Sequence, residues 1–336
     1  MELSTTHKDR AGGVLLGQAI GDALGVPYEF APRIFRGDAR MIGGGLGPYE
    51  PGEWSDDTQM ALCVALTTAR GLNLNTDEGL EMVAQRFIDW QQSGATDIGN
   101  QTRQVLTQAR RTSGRRHDAM LRASEALSAA GKAGNGALMR TGVVGLVALH
   151  SPDETARAAA RIASLTHAAD DCTDSCVLWS EAVRVAVVDG RLDVRAGLAL
   201  LPAERRERWA GLIDEAESLD PTTFHKNGWT VTAFQAAWSS IHATRHLDRA
   251  DHIEVALQLA ISIGHDTDTV AAIAGALLGA RYGVSGMPWD LARRVHGWPG
   301  LLPRDLVRLA LRTADQGAAL DSTGAASALG ATPLMR

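Results

Sequence analysis

Two short acidic segments carry most of the chemistry open to this sequence. Trp54-Ser55-Asp56-Asp57-Thr58 follows a Gly- and Pro-rich stretch at 43–52, and Gly264-His265-Asp266-Thr267-Asp268-Thr269 leads into the apolar run 270–280. Each stands where a helix is expected to begin. Exposed backbone N–H groups and the helix dipole favour anions there, which predicts deprotonated carboxylates ready to hold a cation. Paired carboxylates with a neighbouring hydroxyl are hard oxygen donors suited to Mg²⁺ or Mn²⁺. Read singly, each segment is also an ordinary helix cap, since Ser and Asp are common N-cap residues. The same arrangement found twice weakens that reading.

Two further segments are glycine-spaced. In Gly131-Lys132-Ala133-Gly134-Asn135-Gly136-Ala137-Leu138-Met139-Arg140 the glycines would let backbone amides approach a phosphate, with an apolar helix expected from Thr141. No Gly-Lys-Ser/Thr follows, so this is not a Walker loop. In Gly17-Gln18-Ala19-Ile20-Gly21-Asp22-Ala23-Leu24-Gly25-Val26-Pro27 a glycine recurs at every fourth position, a stripe that suits close helix packing, and Asp22 could cap a neighbour. Glu29 and Asp97 read, from spacing alone, as loop acids.

The elements that must position these residues are helical. Apolar periodicity predicts helices over 58–70, 80–91, 121–130, 153–165, 174–188, 250–262 and 269–282, and no strand alternation is evident. The fold expected is all-α, with no linker in the middle of the chain and one or two domains open by length. From Asp315 the composition shifts to Ala, Gly, Ser and Thr, which predicts a mobile tail over 315–336.

Composition excludes several classes. The 33 Lys and Arg against 39 Asp and Glu leave a mildly acidic chain without a basic footprint for nucleic acid. No signal peptide is visible, and the longest apolar run is well short of the roughly 20 residues a membrane span needs. Cys63, Cys172 and Cys176 are an odd number in a chain large enough to fold without disulfides, so a cytoplasmic protein with buried thiols is expected. His167 near Cys172 and Cys176 is a weak zinc pattern without a fourth ligand. Trp229 reads as a core tryptophan before it reads as a stacking platform.

Taken in order, Gly-Asp-Ala-Leu-Gly, Ser-Asp-Asp-Thr, Gly-Asn-Gly-Ala-Leu-Met-Arg, Thr166-His167 and Asp-Thr-Asp-Thr resemble the ADP-ribosylglycohydrolase family over roughly 12–298. The resemblance implies two Mg²⁺ ions, with Mn²⁺ as an alternative, held by Ser55, Asp56, Asp57, Asp266, Asp268 and Thr269. It implies Asp97 or Glu29 as the catalytic acid or base. It further implies a compact single-domain orthogonal helical bundle over 1–314, with an ADP-ribose site formed by Ile98, Gly99, Thr102, Gly134, Asn135, Gly136, Met139 and His167.

The activity implied is metal-dependent hydrolysis of the bond between ADP-ribose and an acceptor, with arginine-linked modification of a protein as the first reading. Such a protein is expected to be a monomer whose partner is the ADP-ribose adduct, with nucleic acid entering only as an ADP-ribosylated substrate. The rivals are a hydrolase of a free acyl-, nucleobase- or guanidine-linked adduct and a non-catalytic ADP-ribose-binding module. The acceptor should be chosen by loops over the cleft, for which 30–52 and 221–229 are the candidates.

Overall fold

The glycines of the first helix decide where the core lies. The computed structural model describes residues 2–31 and 37–323, and among these the chain is all-α, with isolated β-bridges and no strand. Its helices are α1 (Thr5–Gly25), α2 (Asp56–Thr68), α3 (Asp77–Gln92), α4 (Asn100–Arg111), α5 (Arg116–Ala129), α6 (Pro152–Ser164) and α7 (Asp170–Asp189). There follow α8 (Ala203–Ser218), α9 (Thr230–Thr244), α10 (Arg249–Ser262), α11 (Thr267–Tyr282), α12 (Trp289–Ala292) and α13 (Pro303–Thr323).

Helices α1 and α11 run antiparallel in backbone contact. Gly13, Gly17, Gly21 and Gly25 face Gly279, Gly275, Ala271 and Asp268 in turn. A Cβ on Gly17 would stand 2.2 Å from the Gly275 carbonyl oxygen, and one on Gly21 2.0 Å from that of Ala271. Only hydrogen fits between the two backbones. Both helices are buried on all sides along this contact, Ala11 to Gly25 on one and Thr267 to Ala280 on the other. That is the pattern of central rather than surface helices. The expected small-residue stripe is therefore a packing device, and it places the C-terminal end of α1 beside the N-terminal end of α11.

The remaining helices wrap this pair. The buried Gln18 amide donates 3.0 Å bonds to the backbone carbonyls of Asp57 and Met139, fixing the start of α2 and the turn at Met139 to α1. From α7, the Trp179 indole N–H donates to the Ile273 carbonyl at 3.2 Å. Outer helices are one-sided: α4 buries Thr102, Val105, Leu106 and Ala109 at helical spacing and exposes much of the rest.

The structure departs from the sequence expectations in several places. Helices α4, α8, α9, α12 and α13 are not among the expected ranges. Helix α8 buries only Trp209, Ile213 and Ala216 among its charged residues, too thin a stripe to stand out. Helices α2 and α11 begin two residues earlier than expected, which puts Asp56, Asp57 and Asp268 inside first turns. Beyond Thr141 the chain forms the 3₁₀ turn Gly142–Leu146 instead of an α-helix. There Gly145 is pressed onto the Ser180 carbonyl, where a Cβ would stand 2.6 Å from the oxygen. Helix α13 runs across the start of the expected tail to Thr323, with Gly317 packed on the Val147 carbonyl. The rest of the proposed tail, 324–336, lies outside the described residues.

All three cysteines are free and buried, and Cys172 Sγ lies 3.4 Å from the Gly134 carbonyl oxygen as a donor to it. No helix among the described residues is long and apolar enough to cross a membrane.

A carboxylate-lined cleft as the candidate active site

The N-terminus of α2 is capped, but not by its own residues. Ser55 occupies the N-cap position without capping through its side chain. Instead Asp22, reaching over from α1, accepts from the backbone N–H of Ser55 at 2.8 Å and of Thr58 at 3.0 Å, and from the Thr58 hydroxyl at 2.6 Å. This frees the Ser55 hydroxyl. Its oxygen lies 2.8 Å from Asp22 Oδ1, 2.9 Å from Asp57 Oδ2 and 3.3 Å from Asp268 Oδ2. A single hydroxyl proton faces three carboxyl groups.

The start of α11 is built likewise. Gly264 and His265 both adopt positive φ, 84° and 60°, turning the chain sharply into the helix. Asp266 stands at the N-cap without capping it. Its Oδ2 accepts from Asn135 Nδ2 at 2.7 Å, and its backbone N–H donates to Asn227 Oδ1 at 3.1 Å. Asn227 also donates to the Gly264 carbonyl at 3.0 Å and accepts at its own carbonyl from Asn135 Nδ2 at 2.9 Å. One buried asparagine thus joins the glycine loop to the second acidic segment.

These elements enclose a cleft of about 510 Å³. Its walls include Glu29, Asp56, Asp97, Ile98, Gly99, Thr102, Gly134, Asn135, Gly136, Met139, His167, Asp266, Asp268 and Thr269, all expected from sequence. Ser55 and Asp57 do not line it. Fully buried, they lie beneath the floor in contact with the Asp22 and Asp268 carboxyls.

Ligand-forming oxygens fall into two groups, Asp22 with Asp57 and Asp268, and Glu29 with Asp266 and Asp268, each within 4.8 Å of one another. Asp268 belongs to both. Asp56 lies in neither, although it was expected as a ligand, while Asp22, read only as a possible cap, lies in the first.

Burial overrides the helix dipole in this cluster. The carboxyls of Asp56, Asp57 and Asp268 are held well above the usual aspartate range, by burial first and then by neighbouring carboxylates. Asp22 is raised to about 6 by burial, against the pull of its hydrogen bonds to Ser55 and Thr58. Burial and the charges of Asp266, Asp97 and Asp57 push Glu29 to about 10. Asp97, hydrogen-bonded to Glu29, is raised as well, chiefly by burial. The sequence reading, in which helix starts keep the acids ionised, fails on this point: without a cation these groups resist ionisation.

The donor set fits hard divalent cations. Asp57 Oδ1 and Asp97 Oδ2 are buried without a hydrogen-bond partner. Among the described residues no Lys or Arg forms an ion pair with Asp22, Asp56, Asp57, Asp266 or Asp268. Oxygen donors predominate and no thiol belongs to either group. The weak zinc pattern of Cys172, Cys176 and His167 forms no such group.

Other features escaped the sequence reading. Asn227 sits in a stretch without a motif, so no signal pointed to it. Asp22 had one: apart from Gln18 it is the only strongly polar residue on an apolar helix face. Phe30 and Leu46, both more than half exposed, line the cleft mouth. Residues 32–36 of the first acceptor-loop candidate lie outside the described residues. Trp229 is not a core residue: it is 42% exposed, beside Gly134, and with Lys132 and Gln104 it lines a second cavity that adjoins the cleft.

Comparison with known proteins agrees with this architecture. The family model described as ADP-ribosylglycohydrolase matches residues 3–321. The chain is 32% identical to the ADP-ribosylarginine hydrolase Tri1 of Pseudomonas putida strain GB-1 over 303 residues, covering 85% of this chain and 74% of that protein. It is 28% identical to the ADP-ribosyl-(dinitrogen reductase) glycohydrolase of Rhodospirillum rubrum, covering 83% of this chain and 88% of that one. A solved structure titled ADP-ribosylglycohydrolase-related protein complex superposes with a TM-score of 0.70 at 27% identity, covering 94% of this chain and all of that one.

Proposed function

Because the chain belongs to the ADP-ribosylglycohydrolase family, we propose that it hydrolyses the bond between ADP-ribose and the guanidinium of a modified arginine, with two divalent cations, Mg²⁺ or Mn²⁺, bound in the cleft. The observation that carries this reading is Asp268, whose carboxyl joins two groups of acidic oxygens at the floor of the cleft. Relatives that share most of this chain's length are named for ADP-ribosylarginine and ADP-ribosyl-(dinitrogen reductase) hydrolysis, which supports arginine as the acceptor.

Asp22, Asp57 and Asp268 would hold one cation and Glu29, Asp266 and Asp268 the other, with the Ser55 and Thr269 hydroxyls beside them. Bound there, the cations supply Lewis-acid polarisation of ribose hydroxyls and a more acidic water.

The chain's own residues do the rest. Asp97, with one carboxyl oxygen unpartnered, takes a proton from the attacking water, and its hydrogen-bonded neighbour Glu29 shares that proton. Returned to the departing nitrogen, the proton completes the cleavage. Positive charge growing at the anomeric carbon is met by the surrounding carboxylates, as in other glycoside cleavages. Gly134, Asn135, Gly136 and His167, which line the same cleft, hold the rest of the ADP-ribose.

The test is a panel of arginine-, serine-, nucleobase- and acyl-linked ADP-ribose adducts, each assayed with Mg²⁺, Mn²⁺ or chelator. Release of ADP-ribose chiefly from the arginine adduct, and only with metal, is expected. Metal-independent turnover, or preference for another adduct, would reject the proposal.

A further inference from the structure

Arg140 is an anomaly. It is fully buried, yet no carboxylate pairs with it among the described residues. A guanidinium taken from water without a counter-ion is costly, so its hydrogen bonds must compensate. One nitrogen, Nη1, donates to the Gly136 carbonyl at 2.8 Å. The other, Nη2, donates to the Thr166 hydroxyl oxygen at 2.7 Å and to the Ile162 carbonyl at 3.2 Å. The guanidinium also lies over the Phe87 ring, 4.7 Å from its centre.

The bond to Thr166 fixes a chain of donors. Arginine can only donate, so Thr166 Oγ1 accepts from it. The Thr166 hydroxyl is buried, and among the described residues its one remaining hydrogen-bond neighbour is His167 Nδ1 at 2.7 Å. A buried hydroxyl proton without an acceptor would be expensive. The arrangement that satisfies both the Thr166 hydroxyl and the ring Nδ1 has Thr166 donating to Nδ1, which puts the ring proton on Nε2. No protein group accepts from Nε2 among the described residues, and His167 lines the cleft. Glycine keeps this edge open: a Cβ on Gly136 would stand 3.1 Å from His167 Cε1 and 3.3 Å from Nε2. Burial and then the charge of Arg140 hold His167 well below its usual pKa, so the ring stays neutral.

We propose that Arg140 and Thr166 are positioning residues that lock His167 as a neutral Nε2–H donor into the cleft, aimed at an anionic oxygen of the ADP-ribose diphosphate. A donor with a buried positive charge lacking a counter-ion behind it selects an acceptor, and an anionic one above a neutral one. By pinning the Gly136 carbonyl as well, Arg140 holds the glycine loop and the histidine in one register. The identity of the ligand rests on the function proposed above; the state of the ring does not.

The experiment is ¹⁵N NMR of the histidine side chains in the full chain, with His167→Gln to assign the signal, alongside calorimetric titration with ADP-ribose. Wild type should show an unprotonated Nδ1 and protonated Nε2 on His167 around neutral pH. Thr166→Val should give mixed tautomers and ADP-ribose binding about tenfold weaker, the loss of about one ordinary decade of affinity. Thr166→Ser, which keeps the hydroxyl, should restore both. A purely structural Thr166 would lower melting temperature in Thr166→Val while leaving the tautomer and affinity unchanged, and that outcome overturns the proposal. So does a charged or Nδ1-protonated His167 in wild type, which needs no variant to fold. Failure of wild type to bind ADP-ribose, with the Nε2–H tautomer present, rejects the proposed function and the diphosphate as ligand but leaves the hydrogen-bond relay established.

Discussion

Gly25, the last residue of α1, lies so close to Asp268 in the first turn of α11 that a Cβ on it would stand 2.4 Å from the Asp268 Cα. The contact that ends the central helix pair is therefore also the one that sets the carboxyl common to both acidic groups. Packing and chemistry meet at one position.

Gly25→Ala should accordingly damage both. A forced methyl at a backbone contact costs about 1–3 kcal/mol by overpacking, more than the roughly 1 kcal/mol an alanine returns in helix propensity. Gly17→Ala, whose Cβ would stand 2.2 Å from the Gly275 carbonyl oxygen, should lose similar stability. Urea titration measures the first effect and Mg²⁺ calorimetry the second. Gly25→Ala is expected to weaken cation binding beyond Gly17→Ala, and equal affinities would separate the contact from the site.

Asp268→Asn should remove cation binding almost entirely, because its carboxyl serves both groups. Asp57→Asn should spare the group of Glu29, Asp266 and Asp268, so that titration gives a stoichiometry close to one instead of two. Circular dichroism should show both variants folded. Two ions bound to Asp268→Asn would contradict the arrangement.

Without cations the acidic cluster should make stability depend on pH. Asp22 has a folded value of about 6 against an ordinary value of 3.8, and burial also holds Asp56, Asp57 and Asp268 well above the ordinary aspartate range. A group raised on folding adds stability that is fully present below its unfolded pKa and lost as pH rises through the folded one. Metal-free protein should thus lose stability as pH climbs from about 4 through 6 and beyond. Mg²⁺ at about 100 times its dissociation constant should restore about 2.7 kcal/mol, and the gain in melting temperature should be larger at pH 8 than at pH 5. A cation effect that grew toward acid pH would argue against these carboxyls as ligands.

Asp97 and Glu29 can be told apart by binding against turnover. Glu29 belongs to one of the acidic groups and Asp97 to neither. Asp97→Asn is expected to lower kcat by about 10²–10⁴-fold, the range of general acid–base catalysis, with Mg²⁺ affinity near that of wild type. Glu29→Gln should weaken Mg²⁺ and lower turnover together. Unchanged metal affinity in Glu29→Gln would remove Glu29 from the ligand set.

Much of this was legible in the chain. Periodicity announced seven helices and the absence of strands, and the glycine stripe from Gly17 to Gly25 announced a close helix contact. Residue types at Asp56, Asp57, Asp266 and Asp268 pointed to hard-oxygen chemistry, since donor type belongs to the side chain itself; adjacent helical residues face different ways, and Asp56 lines the cleft while Asp57 lies beneath it. Helices such as α4 and α8 went unread because few of their residues are buried, Thr102, Val105, Leu106 and Ala109 in one and Trp209, Ile213 and Ala216 in the other, among many polar ones.

What only the folded chain decided is which distant groups meet and how deeply they are buried. Sequence spacing does not foretell that Asp22 and Ser55, 33 positions apart, and Ser55 and Asp268, 213 apart, bring a hydroxyl and two carboxyls into contact. Nor does it say that burial raises the carboxyls that a helix N-terminus alone would favour as anions. It left Trp229 in the core and Arg140 as one more arginine, where the structure exposes the first beside the cleft and buries the second behind it. The physical reason is one of range. Helical periodicity and donor type are properties of neighbours along the chain, while desolvation and charge coupling depend on everything packed around a group in space.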